Sequence, residues 1–455
     1  MASPIDPTRR RLLRGGMAGA GALLGAPLLA LAPAAAAPLA GLAPRGIHAS
    51  YTDRLASQRT VTWFTDDLLP GRHALAYQTG VAAWQRVGAQ TQRLPGRRGW
   101  VHHAAIPAPP GAPVRYQAGL AAPAGDAPLL ARHAAAPGEL AGWPRGTRLR
   151  FTHFGDHGIT AHSVANTAAV RARAPDVHFI AGDLSYANGT QPVWDTWFDQ
   201  LAPLAASVPV MTVPGNHEHE DIFWGSRAYR ARLRQPGAGS YYAFDLGRVH
   251  FLALTAGALF AADRDLLLEE LRFAAEDLAD AAARRARGEL DFIVVLQHFT
   301  LWTDQLGREP NDPTLVLLEE PLLVRHRVDL VMAGHDHFYQ RSQPMAFGRP
   351  DTRRGYVQII NGCGGQSLRQ ISRPVQPWSA FVLDPPRYCF TEYELDGLTL
   401  VGRTLASDGA EPVEVDRFAI AARPARQRRA AARPVAQLSQ LWRAAEALRA
   451  VRAAG

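Results

Sequence analysis

Lysine is absent from this 455-residue chain, and cysteine occurs only twice. All 49 basic residues are therefore arginine, and the formal net charge at pH 7 is +8. That charge is uneven, because residues 1–36 carry +3 and residues 421–455 carry +7, which leaves −2 for the body between them. A nucleic-acid-binding domain usually has a basic patch of its own. We therefore expect no nucleic-acid partner for the body of the chain.

The two cysteines, Cys363 and Cys389, lie outside any spacing that is typical of metal ligands. In an exported protein the two thiols could form a disulfide. The sequence does not show whether their Cα atoms lie close enough for that bond. We interpret both as structural residues.

Long apolar runs are confined to the leader, so no other segment is expected to span a membrane. Arginines at positions 9, 10, 11 and 14 precede a Gly/Ala/Leu stretch, a pattern that resembles a twin-arginine export signal. Pro27 makes this stretch a poor spanning helix, and Ala34-Ala35-Ala36 fits a small-residue cleavage site. We predict that residues 1–36 are a signal peptide. The mature protein is then periplasmic or secreted, without stable membrane insertion; the alternative is an uncleaved membrane anchor.

The chain is long enough for two well-buried cores. Residues 46–133 contain strand-like runs separated by Pro/Gly turns, which favours a small β-sandwich. These runs are 59–65, 73–79, 99–106 and 113–120. Residues 134–146 are rich in Ala, Pro and Gly and are predicted to be a linker.

Residues 147–420 alternate strand-like and helical patterns, which predicts an α/β domain. Helices are predicted at 160–174, 261–288 and 313–326. After residue 354 the pattern returns to β at 356–360 and 388–395 and in a hairpin through 398–420, which could add strands to a second sheet. Residues 421–455 form a basic Ala/Arg-rich tail that ends in an amphipathic helical pattern. We expect the apolar face of that helix to dock on the protein or on a partner.

Five short segments each place metal-type ligands directly after an apolar, strand-like run. Buried parallel strands have such runs, and loops that leave their carboxyl ends line one crevice of an open α/β sheet. The five segments are therefore expected to converge. They are Phe154-Gly155-Asp156-His157-Gly158, Gly182-Asp183-Leu184-Ser185-Tyr186, Gly215-Asn216-His217-Glu218, Val295-Leu296-Gln297-His298 and Gly334-His335-Asp336-His337.

The ligand types in these segments indicate a two-metal site. Carboxylate and phenolate oxygens prefer hard cations, and imidazoles suit first-row transition metals. If Asp156, Tyr186 and one histidine bind a first metal, that metal receives two anions of its own and shares Asp183 as a bridge. A second metal, held by Asn216, His298 and another histidine, receives only its share of the bridge. Charge matching then favours Fe(III) in the first position and a divalent ion in the second, with a residual charge of about +2 that suits a phosphoryl group.

The five segments resemble the motifs of the purple acid phosphatases, a branch of the calcineurin-like metallophosphoesterases: GDxG, GDxxY, GNH(D/E), VxxH and GHxH. Many relatives in the wider superfamily have a D-x-H first motif. Here Gly158 occupies that histidine position, and Tyr186 supplies the replacement ligand. Flanking runs at 240–244, 334–342 and 361–365 are also similar, so the resemblance covers roughly residues 45–420.

The resemblance implies both a fold and a set of residue roles. The fold is an α/β metallophosphoesterase sandwich, in which helices flank two β-sheets, preceded by a fibronectin-III-like β-sandwich domain at residues 46–133. The resemblance places the trivalent ion on Asp156, Tyr186 and His337, the divalent ion (zinc, iron or manganese) on Asn216, His298 and His335, and Asp183 between the two. It also gives His217 a catalytic role in binding the substrate.

One departure from the family concerns the loop after His298. Plant-type members carry further histidines there, which bind substrate or protonate the leaving group, but residues 299–309 contain no histidine. The general acid and an acidic pH optimum are therefore open. The candidates for this role are Asp304, Arg308, His157 and His219.

We predict an exported phosphoric monoester hydrolase that cleaves small phosphomonoesters through metal-bound hydroxide. A phosphodiesterase or nucleotide hydrolase on the same scaffold is the nearest alternative, because only the loops distinguish these enzymes. A non-catalytic phosphate-binding protein is a second alternative, against which the complete ligand set argues. A third hypothesis makes residues 421–455 the functional part, as a surface-anchoring or partner-binding helix. The sequence predicts no particular oligomeric state.

Overall fold

The computed structural model describes residues 40–123, 128–142, 148–219, 226–237, 240–255, 264–308, 312–409 and 411–423. The predicted signal peptide and the tail from residue 424 onward, with its predicted amphipathic helix, lie outside the described residues. Within the described part, no helix combines the length and the apolar character that a membrane crossing requires.

The first eight strands form a β-sandwich. They are β1 (Arg45–Tyr51), β2 (Gln58–Thr65), β3 (His73–Thr79), β4 (Gln85–Gly88), β5 (Gln90–Arg93), β6 (Trp100–Pro107), β7 (Val114–Leu120) and β8 (Gly138–Leu140). One antiparallel sheet has the order β1-β2-β6-β5 and the other the order β4-β3-β7-β8. The two sheets enclose an apolar core that includes Val61, Trp63 and Leu75. The four strand-like runs seen in the sequence correspond to β2, β3, β6 and β7.

The stretch predicted to be a linker contains β8, which pairs with β7 and completes the second sheet. Leu140 is fully buried in the sandwich core. A Cβ atom on Gly138 would lie 2.5 Å from the ring of Tyr116. The glycine that suggested a linker is therefore needed for close packing of this strand.

The remaining elements form the α/β part of the chain. The strands are β9 (Leu149–Phe154), β10 (Val177–Ala181), β11 (Val210–Val213), β12 (Tyr242–Leu246), β13 (Val249–Ala253), β14 (Phe292–Leu296), β15 (Leu330–Ala333), β16 (Tyr339–Ser342), β17 (Met345–Ala346), β18 (Arg349–Pro350), β19 (Val357–Asn361), β20 (Ser379–Val382), β21 (Cys389–Asp396), β22 (Thr399–Ala406) and β23 (Val413–Ala421). The helices are α1 (Ala161–Arg173), α2 (Gln191–Ala205), α3 (Arg227–Arg232), α4 (Arg264–Ala286), α5 (Pro313–Leu318) and α6 (Glu320–Arg325).

Two large mixed sheets make up the centre of this part. One has the order β11-β10-β9-β21-β22-β23 and the other the order β12-β13-β14-β15-β19-β16-β20. Phe151 and Phe179 of the first sheet pack with Phe251 and Leu296 of the second in a shared core. The opposite faces of the two sheets pack against α2 and α4, respectively. The α/β sandwich expected from the sequence is therefore present, and the late β segments β21–β23 extend the first sheet.

Two helices differ from expectation, and each has a proline in its first turn. The single helix predicted at 313–326 is divided into α5 and α6, and Pro321 occupies the first turn of α6, where a missing N–H costs nothing. Helix α2 was not predicted, and Pro192 likewise lies in its first turn. Its Trp194 and Trp197 are fully buried in the core and do not line the metal-site cleft. These tryptophans act in packing.

The β-sandwich packs directly on α2. His48 of β1 stacks on Phe198 of α2 with ring centroids 4.6 Å apart, and its Nε2 lies 3.0 Å from the carbonyl oxygen of Arg232. Gly46 has a φ of +57°, and a Cβ atom there would lie 3.0 Å from the Phe198 Cβ. This contact fixes α2, which follows the loop that carries Asp183 and Tyr186.

Candidate metal centre

The predicted ligand residues follow the carboxyl ends of five strands that come from both large sheets. In one sheet β9, β10 and β11 are parallel, and in the other β14 and β15 are parallel. The carboxyl ends of parallel strands lie at the same edge of a sheet, and the two sheets face each other across the shared core. The structure brings together all seven predicted positions, which are Asp156, Asp183, Tyr186, Asn216, His298, His335 and His337.

Asp156, Tyr186 and His337 form the first group. The Tyr186 hydroxyl donates to Asp156 Oδ1 at 3.0 Å, and His337 Nε2 lies 3.0 Å from the same oxygen. The hydroxyl and His337 Nε2 are 3.1 Å apart. Two oxygens and one nitrogen thus form a compact triangle of potential ligand atoms.

Asp183, Asn216, His298 and His335 form the second group. His298 Nε2 lies 3.4 Å from Asp183 Oδ2, 3.1 Å from Asn216 Oδ1 and 3.1 Å from His335 Nδ1. One ligand atom from each of Asp183, His298 and His335 lies within 4.8 Å of the other two. The two groups adjoin, because the His335 backbone N–H donates to Asp156 Oδ2 at 2.7 Å.

Backbone carbonyls orient two of the histidines. His298 Nδ1 lies 2.7 Å from the Ala181 oxygen, and His337 Nδ1 lies 2.8 Å from the Ser367 oxygen. A carbonyl accepts a hydrogen bond, so each Nδ1 carries a proton and each Nε2 is the ring atom that remains to coordinate a metal. Metal-ligating histidines are typically oriented in this way.

Glycines allow the loops to approach these ligands more closely than other residues could. A Cβ atom on Gly215 would lie 2.2 Å from Asp183 Oδ1. Gly182 has a φ of +78°, and a Cβ atom there would lie 2.5 Å from His298 Nδ1. Together with a donor set of carboxylate, phenol, amide and imidazole groups, this tight packing fits a site for transition-metal ions.

Four of the predicted ligands themselves have a left-handed backbone. The φ angles are +58° for Asp156, +51° for Asp183, +57° for Tyr186 and +65° for His335. Such a conformation costs about 1–3 kcal/mol for a residue other than glycine and concentrates at functional sites. The surrounding structure therefore holds these four side chains in place at a cost in stability.

The pKa values in the second group favour an anion at Asp183 beside a cation at His298. Burial opposes ionisation of Asp183, but the charge and hydrogen bond of His298 outweigh it and hold the pKa of the carboxyl below its usual range. Burial likewise lowers the pKa of His298, but Asp183 raises it to about 9. Metal ligation requires a neutral imidazole, so metal binding here displaces a proton.

Buried Glu218 connects two of the loops that carry predicted ligands. It is fully buried and accepts hydrogen bonds from Leu184 N at 2.9 Å and Gly215 N at 2.8 Å. Burial and the charge of Asp183 raise the pKa of its carboxyl to about 8. Glu218 thus ties the Asp183 loop to the Asn216 loop, a role that its motif position alone did not reveal.

His217 lies beside the second group with part of its ring exposed. Its Nδ1 is 2.6 Å from Asn188 Oδ1, and its Nε2 is 3.8 Å from Asp183 Oδ2. Its ring centroid is 4.2 Å from that of Tyr186. His217 therefore presents a ring nitrogen beside the predicted metal ligands, and its role in substrate binding stays a prediction.

A cleft of about 170 Å³ opens at these residues. Besides predicted ligands and His217, it is lined by Arg308, Gln366, Ser367 and Arg369. The sequence alone did not identify Gln366, Ser367 and Arg369 as site residues. The run Asn361-Gly362-Cys363-Gly364-Gly365 directly precedes them and was the available signal, since glycine-rich turns often border binding sites.

Of the four candidate proton donors, only Arg308 lines the cleft. Asp304 is buried, where its carboxylate accepts from the Gln376 N–H at 3.0 Å and from the Ser379 hydroxyl. His157 is buried, and its Nδ1 accepts from Trp197 Nε1 at 2.9 Å. His219 is partly buried and lies outside the cleft lining. Internal hydrogen bonds thus hold Asp304 and His157, and neither side chain lines the cleft.

Known phosphoesterases are similar in sequence to this chain. Residues 149–339 match the family model for the calcineurin-like phosphoesterases. Purple acid phosphatase 22 of Arabidopsis thaliana is 30% identical over 246 residues, which cover 51% of this chain and 55% of the relative. Acid phosphatase type 7 of Danio rerio is 30% identical over 241 residues, which cover 45% of this chain and 53% of the relative. The chain spans about half the length of the curated relatives it matches.

A solved structure shares the fold. The purple acid phosphatase PPD1 from seeds of yellow lupin (Lupinus luteus) superposes with a TM-score of 0.72 at 19% sequence identity. The match covers 86% of this chain and 77% of the lupin chain. The α/β architecture with several sheets is therefore that of a metallophosphoesterase.

Proposed function

We propose that this chain, which contains a calcineurin-like phosphoesterase domain and has purple acid phosphatases among its relatives, is an exported dinuclear metallophosphatase that hydrolyses small phosphomonoesters. The observation that supports this proposal is the pair of adjoining ligand groups, in which each of the seven predicted positions carries a residue able to bind a metal. A non-catalytic descendant would be expected to have lost some of these ligands.

Metal analysis of the purified protein, combined with a phosphatase assay across pH, tests the proposal. We expect two metal ions per chain and hydrolysis of 4-nitrophenyl phosphate. Faster hydrolysis of bis(4-nitrophenyl) phosphate than of the monoester would favour the phosphodiesterase alternative. A metal-loaded protein that hydrolyses neither compound would contradict the proposal.

The two ligand groups suit different ions. The first group offers a carboxylate and a phenol, and we assign Fe(III) to it; the second offers imidazoles and an amide, and we assign a divalent ion, zinc, iron or manganese, to it. Bound metal ions supply Lewis acidity to phosphoryl oxygens and lower the pKa of a coordinated water.

The residues of the chain bind and orient the ester. Asn188 is 2.6 Å from Nδ1 of His217, so it fixes the ring and leaves Nε2 available to a phosphoryl oxygen. Because the His217 backbone N–H separately donates to Asp183 Oδ1 at 2.9 Å, the side chain is not needed to hold that carboxylate. We therefore assign His217 to substrate binding.

Activity should depend strongly on the leaving group. Residues 299–309 contain no histidine, and buried Asp304 does not line the cleft. An alkoxide needs a proton as it departs, whereas an activated phenolate needs it much less. General acid catalysis is worth about 10²–10⁴-fold, so kcat/KM for 4-nitrophenyl phosphate should exceed that for glycerol 2-phosphate by about 10²-fold or more. Equal kcat values, limited by chemistry, would show that another acid acts here.

Replacing His217 by alanine should lower kcat/KM for both of these esters by about 10–100-fold, because the phosphate contact is common to them. Metal content should stay at the wild-type level, since the backbone bond to Asp183 remains. His162→Ala is a matched control, because His162 is exposed on α1 and stacks on Tyr388 outside the cleft. Loss of activity toward only the alkyl ester would instead make His217 the general acid.

We assign the β-sandwich at residues 46–133 to the fibronectin-III-like type, extended by β8. Its two antiparallel sheets pair strands in the orders β1-β2-β6-β5 and β4-β3-β7-β8, which suits the Greek-key sandwiches of that class. Its packing on α2 supports a role in positioning the catalytic part.

Export by the twin-arginine path is the proposed route to a periplasmic or secreted location. Changing Arg9 and Arg10 together to lysine should trap the folded protein in the cytoplasm, because the pathway reads the arginine pair. Cell fractionation with immunoblotting measures this, and Arg14→Lys serves as the charge-matched control. The wild type should lose its leader near Ala37. Export of the double variant at the wild-type level would disprove the route.

A further inference from the structure

Two arginines that none of the proposed catalytic roles uses line the cleft. Arg308 ends the described part of the loop after His298, and Arg369 follows the glycine-rich run at 361–365. We infer that Arg308 and Arg369 form a second anion subsite beside the metal centre, and that the preferred substrates are phosphomonoesters carrying a second phosphate. This inference rests on the proposed function, because it assumes that a phosphate ester occupies the cleft.

Arg308 is held in place along one edge of its guanidinium group. Its Nη1 donates to Asp336 Oδ1 at 2.9 Å and to the His335 carbonyl oxygen at 3.2 Å. Asp336 is fully buried and also accepts from the Thr300 hydroxyl at 2.7 Å. Within the described part of the chain, both hydrogen bonds of the guanidinium use Nη1, and the side chain is 44% exposed. The group is thus positioned in advance with donors left for a ligand, which lowers the entropic cost of binding.

Arg369 lies on a loop that is fastened to the metal-ligand segments. Gly364 N donates to Gly155 O at 2.9 Å, Gln366 N to Asp156 O at 3.1 Å and Arg369 N to His337 O at 2.9 Å. A Cβ atom on Gly158 would lie 2.2 Å from Gln366 Nε2, so the Gln366 amide occupies the space that a side chain at position 158 would need. The loop that carries Arg369 is therefore part of the wall of the site.

The charges of the two arginines are compensated unequally. Asp336 offsets the charge of Arg308. Within the described ranges, no carboxylate lies within ion-pair distance of Arg369, whose side chain is exposed at the cleft. In the proposed function, the reacting phosphate would have the metal ions and His217 as partners. The guanidinium of Arg369 has no carboxylate partner in the described ranges, and that of Arg308 is already oriented. Together they suit a second phosphate group, since arginine binds phosphate through paired N–H donors.

Binding of non-hydrolysable probes tests this inference without relying on turnover. Isothermal titration calorimetry of the metal-loaded protein compares propylphosphonate with propane-1,3-bisphosphonate, and metal content measured before and after titration detects chelation. We expect the bisphosphonate to bind about tenfold more tightly than the monophosphonate. In Arg369→Gln the ratio of the two Kd values should fall to about one.

Arg349→Gln is the matched control, because Arg349 is exposed in β18 and lies outside the cleft lining. It should keep the wild-type ratio of Kd values, and Arg308→Gln should reduce that ratio. A wild-type ratio of one, or an unchanged ratio in Arg369→Gln, overturns the inference. An equal weakening of both probes in Arg369→Gln also overturns it, since the arginine then contacts the first phosphate.

Hydrolysis of 4-nitrophenyl phosphate by the same preparation separates this inference from the proposed function. A protein that hydrolyses this ester but binds both probes equally is a phosphatase without the second subsite. A protein that prefers the bisphosphonate but hydrolyses no ester has the subsite and lacks the proposed activity.

Discussion

Replacing Asp183 by alanine should remove the metal centre and lower kcat/KM by at least about 10³-fold, because metal ions supply several kcal/mol of transition-state stabilisation. The carboxylate is 2% exposed, and its Oδ2 lies 3.4 Å from His298 Nε2. Its Oδ1 accepts the His217 backbone N–H at 2.9 Å. Without Asp183 the second group keeps only neutral ligands. Metal content by mass spectrometry and kcat/KM for 4-nitrophenyl phosphate measure the two effects.

Asp291→Ala is a matched control for this substitution. Asp291 is also 2% exposed, pairs with Arg248, and precedes the amino end of β14, at the opposite end of that strand from His298. This variant should lose stability but keep both metal ions. If Asp183→Ala retained two metal ions and wild-type turnover, the assignment of Asp183 as the bridging ligand would be wrong.

Replacing Tyr186 by phenylalanine should abolish the visible absorption of the protein. A phenolate bound to Fe(III) gives a ligand-to-metal charge-transfer band, and the Tyr186 hydroxyl lies in the first ligand group, 3.0 Å from Asp156 Oδ1. Burial and the charge of Asp156 raise the pKa of this phenol, so a bound cation is needed to form the phenolate. We expect a purple or pink wild type and a colourless Tyr186→Phe variant with an unchanged circular dichroism spectrum.

Tyr229→Phe should remain coloured, because Tyr229 is buried against Thr212 and lies outside the cleft lining. Phenylalanine at position 186 keeps the ring that packs against His217, so any loss of colour reports on the hydroxyl. A colourless wild type that holds two divalent ions and is fully active would disprove the Fe(III) assignment.

Much of the fold followed from local patterns. The apolar runs before Asp183 and His298 predicted buried strands, and β10 and β14 each end two residues before the ligand, at Ala181 and Leu296. The helix boundaries were harder to predict, since Pro192 and Pro321 both lie in the first turn of a helix, where proline is tolerated. Strand β8 was missed, because three residues give no periodic signal, and the strand is stabilised by pairing with β7 and by burial of Leu140.

By itself, the sequence determined which side chains follow the strand ends, because each ligand lies within a few residues of a strand and strand periodicity is a local signal. Only the tertiary structure decided which residues of one loop share the cleft. Asp304 and Arg308 are four residues apart, but Ser379 hydrogen-bonds the first inside the protein, whereas Asp336 holds the second at the cleft. Such contacts join segments far apart in the chain, so neither spacing nor composition records them.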